Sequence, residues 1–490
     1  MRFVIAALLI LVLFSCQNQP ASSVFTPRFT ASNEPPVKVD GKKTPYTFGY
    51  LEVLENRQRP NGPTIQLPVY IFKSRKANPA PDPVLYTVGG PGYTSMGAAP
   101  YMRAFQYLDD RDLILFEQRG TTHAKPNLAC PEWTEVAPRV AGLNLSPEAL
   151  NAEYVKAAEK CRDRLKAQNI DLDAYNTREI AADIEDLRRA LNIDQLNLLT
   201  ISYSTKIAQT MMRDFPASLR SVVIDSPLPL AVNYDESSIT NLMETYDRVF
   251  SDCANSPNCA AKYPNLAQRF RDFLTKVSDQ PLALQVGRAD GKGDTTVQLR
   301  SADVVDYLPE LYTSSAASFP AMLDAIINGN TQILKDNFSW PTAGSGNGKG
   351  MRLSVWCSEE LSFTSPEKVA EESTRFPFLR NRSPLVFSFE VCQTWSVRAA
   401  PAEENEPINS DIPTLLISGT YDVVTPVKWA TQLNRELSNS HHLIFPGWSH
   451  GPTTYWDNSC AMEAANAFFN SPGRAPELTC FQDLTLPVFN

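Results

Sequence analysis

Three side chains that together can perform acyl transfer each stand just past an apolar, strand-like run: Ser202, Asp422 and His450. Ser202 ends the run Leu196-Asn197-Leu198-Leu199-Thr200-Ile201, and helix-forming sequence begins at once with Ser204-Thr205-Lys206-Ile207-Ala208. A serine at such a junction is either a plain helix cap or a nucleophile held on a sharp strand-to-helix turn. Asp422 follows Leu415-Leu416-Ile417-Ser418, where a carboxylate can accept from an imidazole N–H and fix its tautomer. His450 follows Leu443-Ile444-Phe445 and lies in Trp448-Ser449-His450-Gly451. Of the other histidines, His123 sits in a polar loop, and His441 and His442 are expected to be solvated ahead of a strand. The chain order Ser202, Asp422, His450 is that of nucleophile, acid and base. Two backbone donors for an oxyanion complete the set: Tyr203, at the helix start, and Gly90, in the turn Gly89-Gly90-Pro91-Gly92. Pro91 has no N–H to give.

Elements able to position these groups can be read from hydrophobic periodicity. Strands are predicted at 46–54, 65–72, 83–88, 112–116, 196–201, 221–225 and 414–419, with helical sequence at 93–108 between two of them. A helix is predicted from Thr177, taken as its N-cap, with Ile180, Ile184, Leu187 and Leu191 on one face. Another runs from Thr205 to Asp214. Short apolar strands alternating with helices imply an α/β fold on a mostly parallel sheet. The alternation lapses after about Leu230 and resumes at Thr414. The helical segments 239–250, 266–277 and 302–311, with a Gly-Ser-rich loop at 343–350, therefore read as a largely helical cap domain inserted between late strands.

A net charge of −9 without a basic block argues against nucleic acid as a partner. The chain opens with Met1-Arg2, an apolar run Phe3–Phe14, and Leu13-Phe14-Ser15-Cys16. This reads as a lipoprotein signal peptide over 1–15, with Cys16 as the lipidated residue and the only membrane attachment. Residues 16–45 read as a tether. The eight remaining cysteines, Cys130, Cys161, Cys253, Cys259, Cys357, Cys392, Cys460 and Cys480, form an even set suited to disulfides in an oxidising compartment, either periplasm or cell surface. Connectivity is open from sequence; nearest-neighbour pairing is the expectation, with Cys253–Cys259 closing the shortest loop. The histidines lie at no ligand spacing beside these cysteines, so no metal is expected, and no motif calls for a cofactor.

Gly89-Gly90-Pro91-Gly92, Phe116-Glu117-Gln118-Arg119-Gly120, Ile201-Ser202-Tyr203, Tyr421-Asp422-Val423-Val424-Thr425-Pro426 and Ser449-His450-Gly451 together resemble the proline iminopeptidase and tripeptidyl aminopeptidase group of serine hydrolases. Val355-Trp356-Cys357-Ser358-Glu359-Glu360 and Cys392-Gln393-Thr394-Trp395 resemble its secreted tripeptidyl branch. The resemblance implies an α/β-hydrolase core over 46–231 and 408–490, a cap over 232–407, and an exopeptidase that releases short N-terminal pieces from peptide substrates. Within it, Glu359 and Glu360 are the candidates for binding the substrate's ammonium group. Departures from the family pattern are Val88 before the glycine turn, Glu117 for Asp, and Thr200 and Ser204 in place of the elbow glycines. Thr200 is expected to crowd the turn. Two other readings remain on the same scaffold: a carboxylester hydrolase, and a non-catalytic lipoprotein that binds peptides.

Overall fold

The computed structural model describes residues 25–489, other than 41, 142, 144, 289, 290, 309, 310 and 312. The leader and Cys16 lie outside the described residues. Among those described, no helix is long and apolar enough to cross a membrane.

Nine strands form one sheet among the described residues. Its antiparallel side is built from β1 (Arg28–Ala31), β2 (Tyr46–Leu54) and β3 (Thr64–Phe72). Next in chain order come β4 (Ala80–Thr87), β5 (Arg111–Phe116), β6 (Leu196–Ile201) and β7 (Leu219–Asp225). A separate hairpin, β8 (Leu282–Gly287) with β9 (Asp294–Leu299), precedes β10 (Thr414–Gly419) and β11 (Ser440–Phe445). The sheet order is β1-β2-β3-β5-β4-β6-β7-β10-β11, and the six strands from β5 to β11 run parallel. This is the expected α/β-hydrolase architecture, with all six carboxyl ends on one edge.

Alternation along each strand sends side chains to two cores. Leu198, Val222, Ile224 and Leu416 face one layer, packed on Ile180, Ile184 and Leu187 of the helix Thr177–Ala190 and on Ile207 and Met211 of the helix Ser204–Asp214. Leu199, Val223, Leu415 and Ile417 face the other, against Met102, Phe105, Ala461 and Phe468. Both faces are covered, which explains why β6 and β10 are apolar throughout rather than alternating.

Several elements differ from expectation. The stretch expected to be a tether contributes β1, which pairs with β2; Gly49 makes this possible, since a Cβ there would lie 2.5 Å from the Phe29 ring. The segment 93–108 folds as 3₁₀ turns, Ser95–Ala104 and Gln106–Asp109, with Pro100 inside the first. The N-cap of the helix at 177 is Asn176, whose side chain accepts from the Glu179 N–H, so Thr177 is its first residue. Between β7 and β10, the helices Ser238–Asn255, Leu266–Asp279 and Phe319–Ile327 share a third apolar cluster with the hairpin. Met351, Leu353, Trp356 and Trp395, by contrast, pack into the main core. The cysteines pair Cys130–Cys161, Cys253–Cys259, Cys357–Cys392 and Cys460–Cys480, the nearest-neighbour set. Four disulfides point to an oxidising compartment.

Candidate active site

The parallel register brings distant residues to one edge: the glycine turn follows β4, Ser202 follows β6, Asp422 follows β10, and His450 follows β11. Ser202 has φ +61°, a left-handed backbone that non-glycine residues adopt at a cost of about 1–3 kcal/mol. Its N–H is held by the Asp225 carbonyl at 3.0 Å, and its carbonyl accepts from the Thr205 N–H at 2.9 Å. The side chain is half-buried between two buried neighbours. Ser204 is fully buried and engaged: its hydroxyl accepts from the Ile201 N–H and lies 2.9 Å from the Thr87 and Ile201 carbonyls. It therefore ties the elbow to β4 instead of leaving a glycine-sized gap. Thr200 does not crowd the turn; it sits in β6 with its hydroxyl 3.4 Å from the Val223 carbonyl.

Asp422 and His450 meet. His450 Nδ1 lies 2.8 Å from Asp422 Oδ2, with the carboxylate fully buried and the imidazole 27% exposed. Asp422 also accepts the Val424 and Thr425 N–H groups at 2.8 Å each and the Thr425 hydroxyl at 2.7 Å. Burial alone would favour the neutral acid, but His450 and these donors outweigh it and hold the carboxyl below its usual range. Thr425, 3.1 Å from His450 Nδ1, is a contact that the sequence reading did not assign. The loop after His450 is pinned to the end of β7. The Gly451 N–H donates to the Ser226 hydroxyl, and the Thr453 N–H donates to the Asp225 carboxylate, each at 2.8 Å. Burial raises the Asp225 pKa to about 6.

The glycine turn lies directly on the elbow. A Cβ on Gly89 would sit 2.7 Å from Ser202 Cβ and 2.8 Å from the Tyr203 nitrogen, so only glycine allows this approach. Gly90 and Gly92 have φ of +118° and +95°. The motif Glu117-Gln118-Arg119 braces this turn. Glu117 accepts from the Ser95 N–H and the Thr94 hydroxyl just beyond it. Gln118 donates to the Val88 carbonyl and the Thr87 hydroxyl just before it. Arg119 binds Asp183 through two 2.7 Å bonds and donates to the carbonyls of Glu55 and Ala174. No periodic signal marks these roles, because each of these partners is 22 or more residues away in sequence.

The structure departs from the expectation for Glu359 and Glu360. A wider π-type turn, Trp356–Glu360, swings both carboxylates inward, and both are buried. Glu360 is ion-paired with Lys206, so its charge is already met. Glu359 accepts the Thr177 N–H at 2.5 Å and bonds the Thr177 hydroxyl, which lies 2.8 Å from the Tyr203 hydroxyl. Both acids have internal partners that hold the elbow's helices, and neither stands ready for a substrate ammonium. His442 is also not solvated as expected: its Nε2 lies 2.7 Å from the Ser418 hydroxyl, and burial lowers its pKa to about 4.

Burial lifts Glu359 to about 7 despite its bonds to Thr177. Because the folded value lies above the unfolded value of 4.5, this group favours the fold fully below about pH 4.5, and the contribution disappears as pH rises through 7. Glu359→Gln keeps an acceptor for Thr177 but removes the titration. Urea midpoints of the wild type should therefore fall between pH 5 and 8 by more than those of the variant, the difference being at most about 3 kcal/mol. Equal slopes for the two proteins would remove Glu359 as the group responsible.

Residues 381–480, which carry Asp422 and His450, match the α/β-hydrolase family described as TAP-like protein. Over 478 residues the chain is 23% identical to the serine protease Hip1 of Mycobacterium tuberculosis, covering 89% of this chain and 87% of that one. It is 24% identical to the tripeptidyl aminopeptidase of Streptomyces coelicolor, with 89% and 83% covered. To carboxylesterase B of Mycobacterium tuberculosis it is 26% identical, with 79% and 77% covered.

Proposed function

We propose that this chain, whose residues 381–480 match the TAP-like family, is an exported serine aminopeptidase that uses Ser202, His450 and Asp422 to release short N-terminal pieces from peptides. The observation that carries this reading is the 2.8 Å Nδ1 contact of His450 with buried Asp422, on the same sheet edge as the strained Ser202. With Asp422 accepting from Nδ1–H, the imidazole's Nε2 is the basic atom. It takes the Ser202 proton as the hydroxyl oxygen bonds to the substrate carbonyl carbon, and the carbonyl becomes an oxyanion. The N–H groups of Gly90 and Tyr203 face that charge, and Asp422 stabilises the imidazolium without taking its proton. The imidazolium then protonates the leaving amine as the C–N bond breaks. Water, deprotonated by the same nitrogen, releases the acyl group and restores Ser202. The leader 1–15 and the acylated Cys16 would place this activity at the cell envelope, outside the cytoplasm.

The test compares a tripeptide arylamide with a free N-terminus, its N-acetylated counterpart, and short acyl esters, in cells and with purified protein. The free peptide should be cleaved at least ~10-fold better in kcat/KM than the blocked one. Fractionation should find activity with membranes, and Cys16→Ser should release it. Equal cleavage of blocked and free peptides would sink the aminopeptidase reading. Turnover of esters alone would favour the carboxylester hydrolase, the reading suggested by the likeness to carboxylesterase B.

A further inference from the structure

A cleft of about 1070 Å³ opens beside the glycine turn, at the upper end of the range for small-ligand sites. Its inner end is formed by the start of the helix Lys349–Val355. That end touches the turn: a Cβ on Gly92 would lie 2.5 Å from the Gly348 carbonyl oxygen and 3.4 Å from Arg352 Cβ. Since Gly89 of the same turn lies against Ser202, Arg352 stands one tight turn away from the nucleophile.

Two cations line this end, and neither forms an ion pair among the described residues; the acid that acts on Arg352, buried Asp235, already accepts from the Trp356 indole N–H and the Val386 N–H. Lys349 Nζ lies over Trp133 and Phe387, 5.6 and 5.8 Å from the ring centroids. Arg352 lies 5.6 Å from the Trp356 ring, and its Nε is buried with no hydrogen-bond partner. An unmet donor on a charged, half-buried fork is costly to a free protein and is met by an anion. The arrangement stands out in a chain of net charge −9, where nearly every other buried arginine is ion-paired. Burial, with Arg352 as a second cause, lowers Lys349 to about 8, and a bound anion would relieve both effects. The acids on the wall, Glu148 and Asp303, do not neutralise the pair; Asp303 is turned to the Arg300 N–H, 2.7 Å away.

We infer that this cleft is a carboxylate subsite, in which Lys349 and Arg352 take a carboxylate of the peptide while Trp133, Tyr154 and Phe387 pack on its side chains. This rests on the peptidase reading above and adds the substrate class: peptides carrying an anion close to the scissile bond. The same cations repel an ammonium, so the free N-terminus lies elsewhere. The carboxylate has two sources, the C-terminus of a short peptide or an Asp or Glu side chain.

Binding to Ser202→Ala protein tests the subsite without turnover, so it fails or stands separately from the peptidase reading. Calorimetry would compare a tetrapeptide acid of neutral side chains, its C-terminal amide, and an amide with one Glu. At least one carboxylate-bearing peptide should bind ~10-fold or more tightly than the neutral amide. A stronger acid assigns the C-terminus, and a stronger Glu amide assigns the side chain. Lys349→Met with Arg352→Met should erase the difference; the peptide comparison decides even if that variant does not fold. Equal binding of all three peptides, no binding of any, or a preference that survives in the folded double variant would overturn the subsite.

Discussion

Ser202→Ala should yield a folded protein whose hydrolysis of a peptide arylamide is ~10⁶-fold slower, because no other group at the elbow can replace the attacking oxygen. Ser204, two residues on, is no substitute: its hydroxyl is fully buried and bonded to the Ile201 N–H. Asp422→Asn should cost ~10⁴-fold in kcat and leave binding nearly unchanged. An amide at that position can present its N–H to Nδ1 and stabilise the tautomer whose Nε2 carries the proton. The Val424 and Thr425 N–H groups, each 2.8 Å from Oδ1, would still hold the side chain in place, so the loss reports on protonation and not on a collapsed loop. Single-turnover hydrolysis of the arylamide checks both variants, and a fluorophosphonate label on Ser202 should be slowed in Asp422→Asn and absent in Ser202→Ala. Hydrolysis within tenfold of wild type in either protein would refute the relay.

The parts of this site that were legible from sequence share one property: each residue ends an apolar strand of its own. Six parallel strands put all such ends on one edge, so Ser202, Asp422 and His450 could be placed by chain order without any distance. The glycine turn was legible for the same reason, and its closeness to Ser202 Cβ supplies the cause of its composition. What was not legible rests on contacts between remote segments. Glu359 was expected to face a substrate ammonium, but the π-type turn points it at Thr177, 182 residues away in sequence. His442 falls on an edge strand, where exposure is the ordinary expectation, yet Ser418 on the neighbouring strand covers it. The hairpin β8–β9 was missed although its strands alternate, with Leu284, Val286 and Leu299 facing the helices of the inserted segment, because two six-residue strands lie isolated within a stretch whose longer runs all have helical spacing. Thr425 was named in a motif but given no task, since an Asp-x-x-Thr spacing is common in ordinary turns.

Removing Arg119 should have the largest effect on stability of any single change outside the catalytic residues. Its guanidinium is completely buried, forks onto Asp183 with two 2.7 Å bonds, and satisfies the Glu55 and Ala174 carbonyls. Such a charge is costly to bury, and the pair adds little net stability over apolar residues of the same shape. Breaking it is a different matter. Arg119→Met would leave two carbonyls without a donor and half of the Asp183 charge unmet, since Arg57 reaches only Oδ1. The expected loss is about 3–5 kcal/mol in urea unfolding. Arg119→Lys restores the charge but cannot form the fork or reach both carbonyls, so it should recover less than half of that loss. The neighbouring Glu117 and Gln118 hold the two ends of the glycine turn, which makes the damage functional as well. At temperatures where Arg119→Met is still folded, kcat should fall more than KM rises, because a displaced turn weakens the oxyanion donors before it weakens substrate binding. A variant within about 1 kcal/mol of wild type, with unchanged kcat, would show that the turn is held by Glu117 and Gln118 alone.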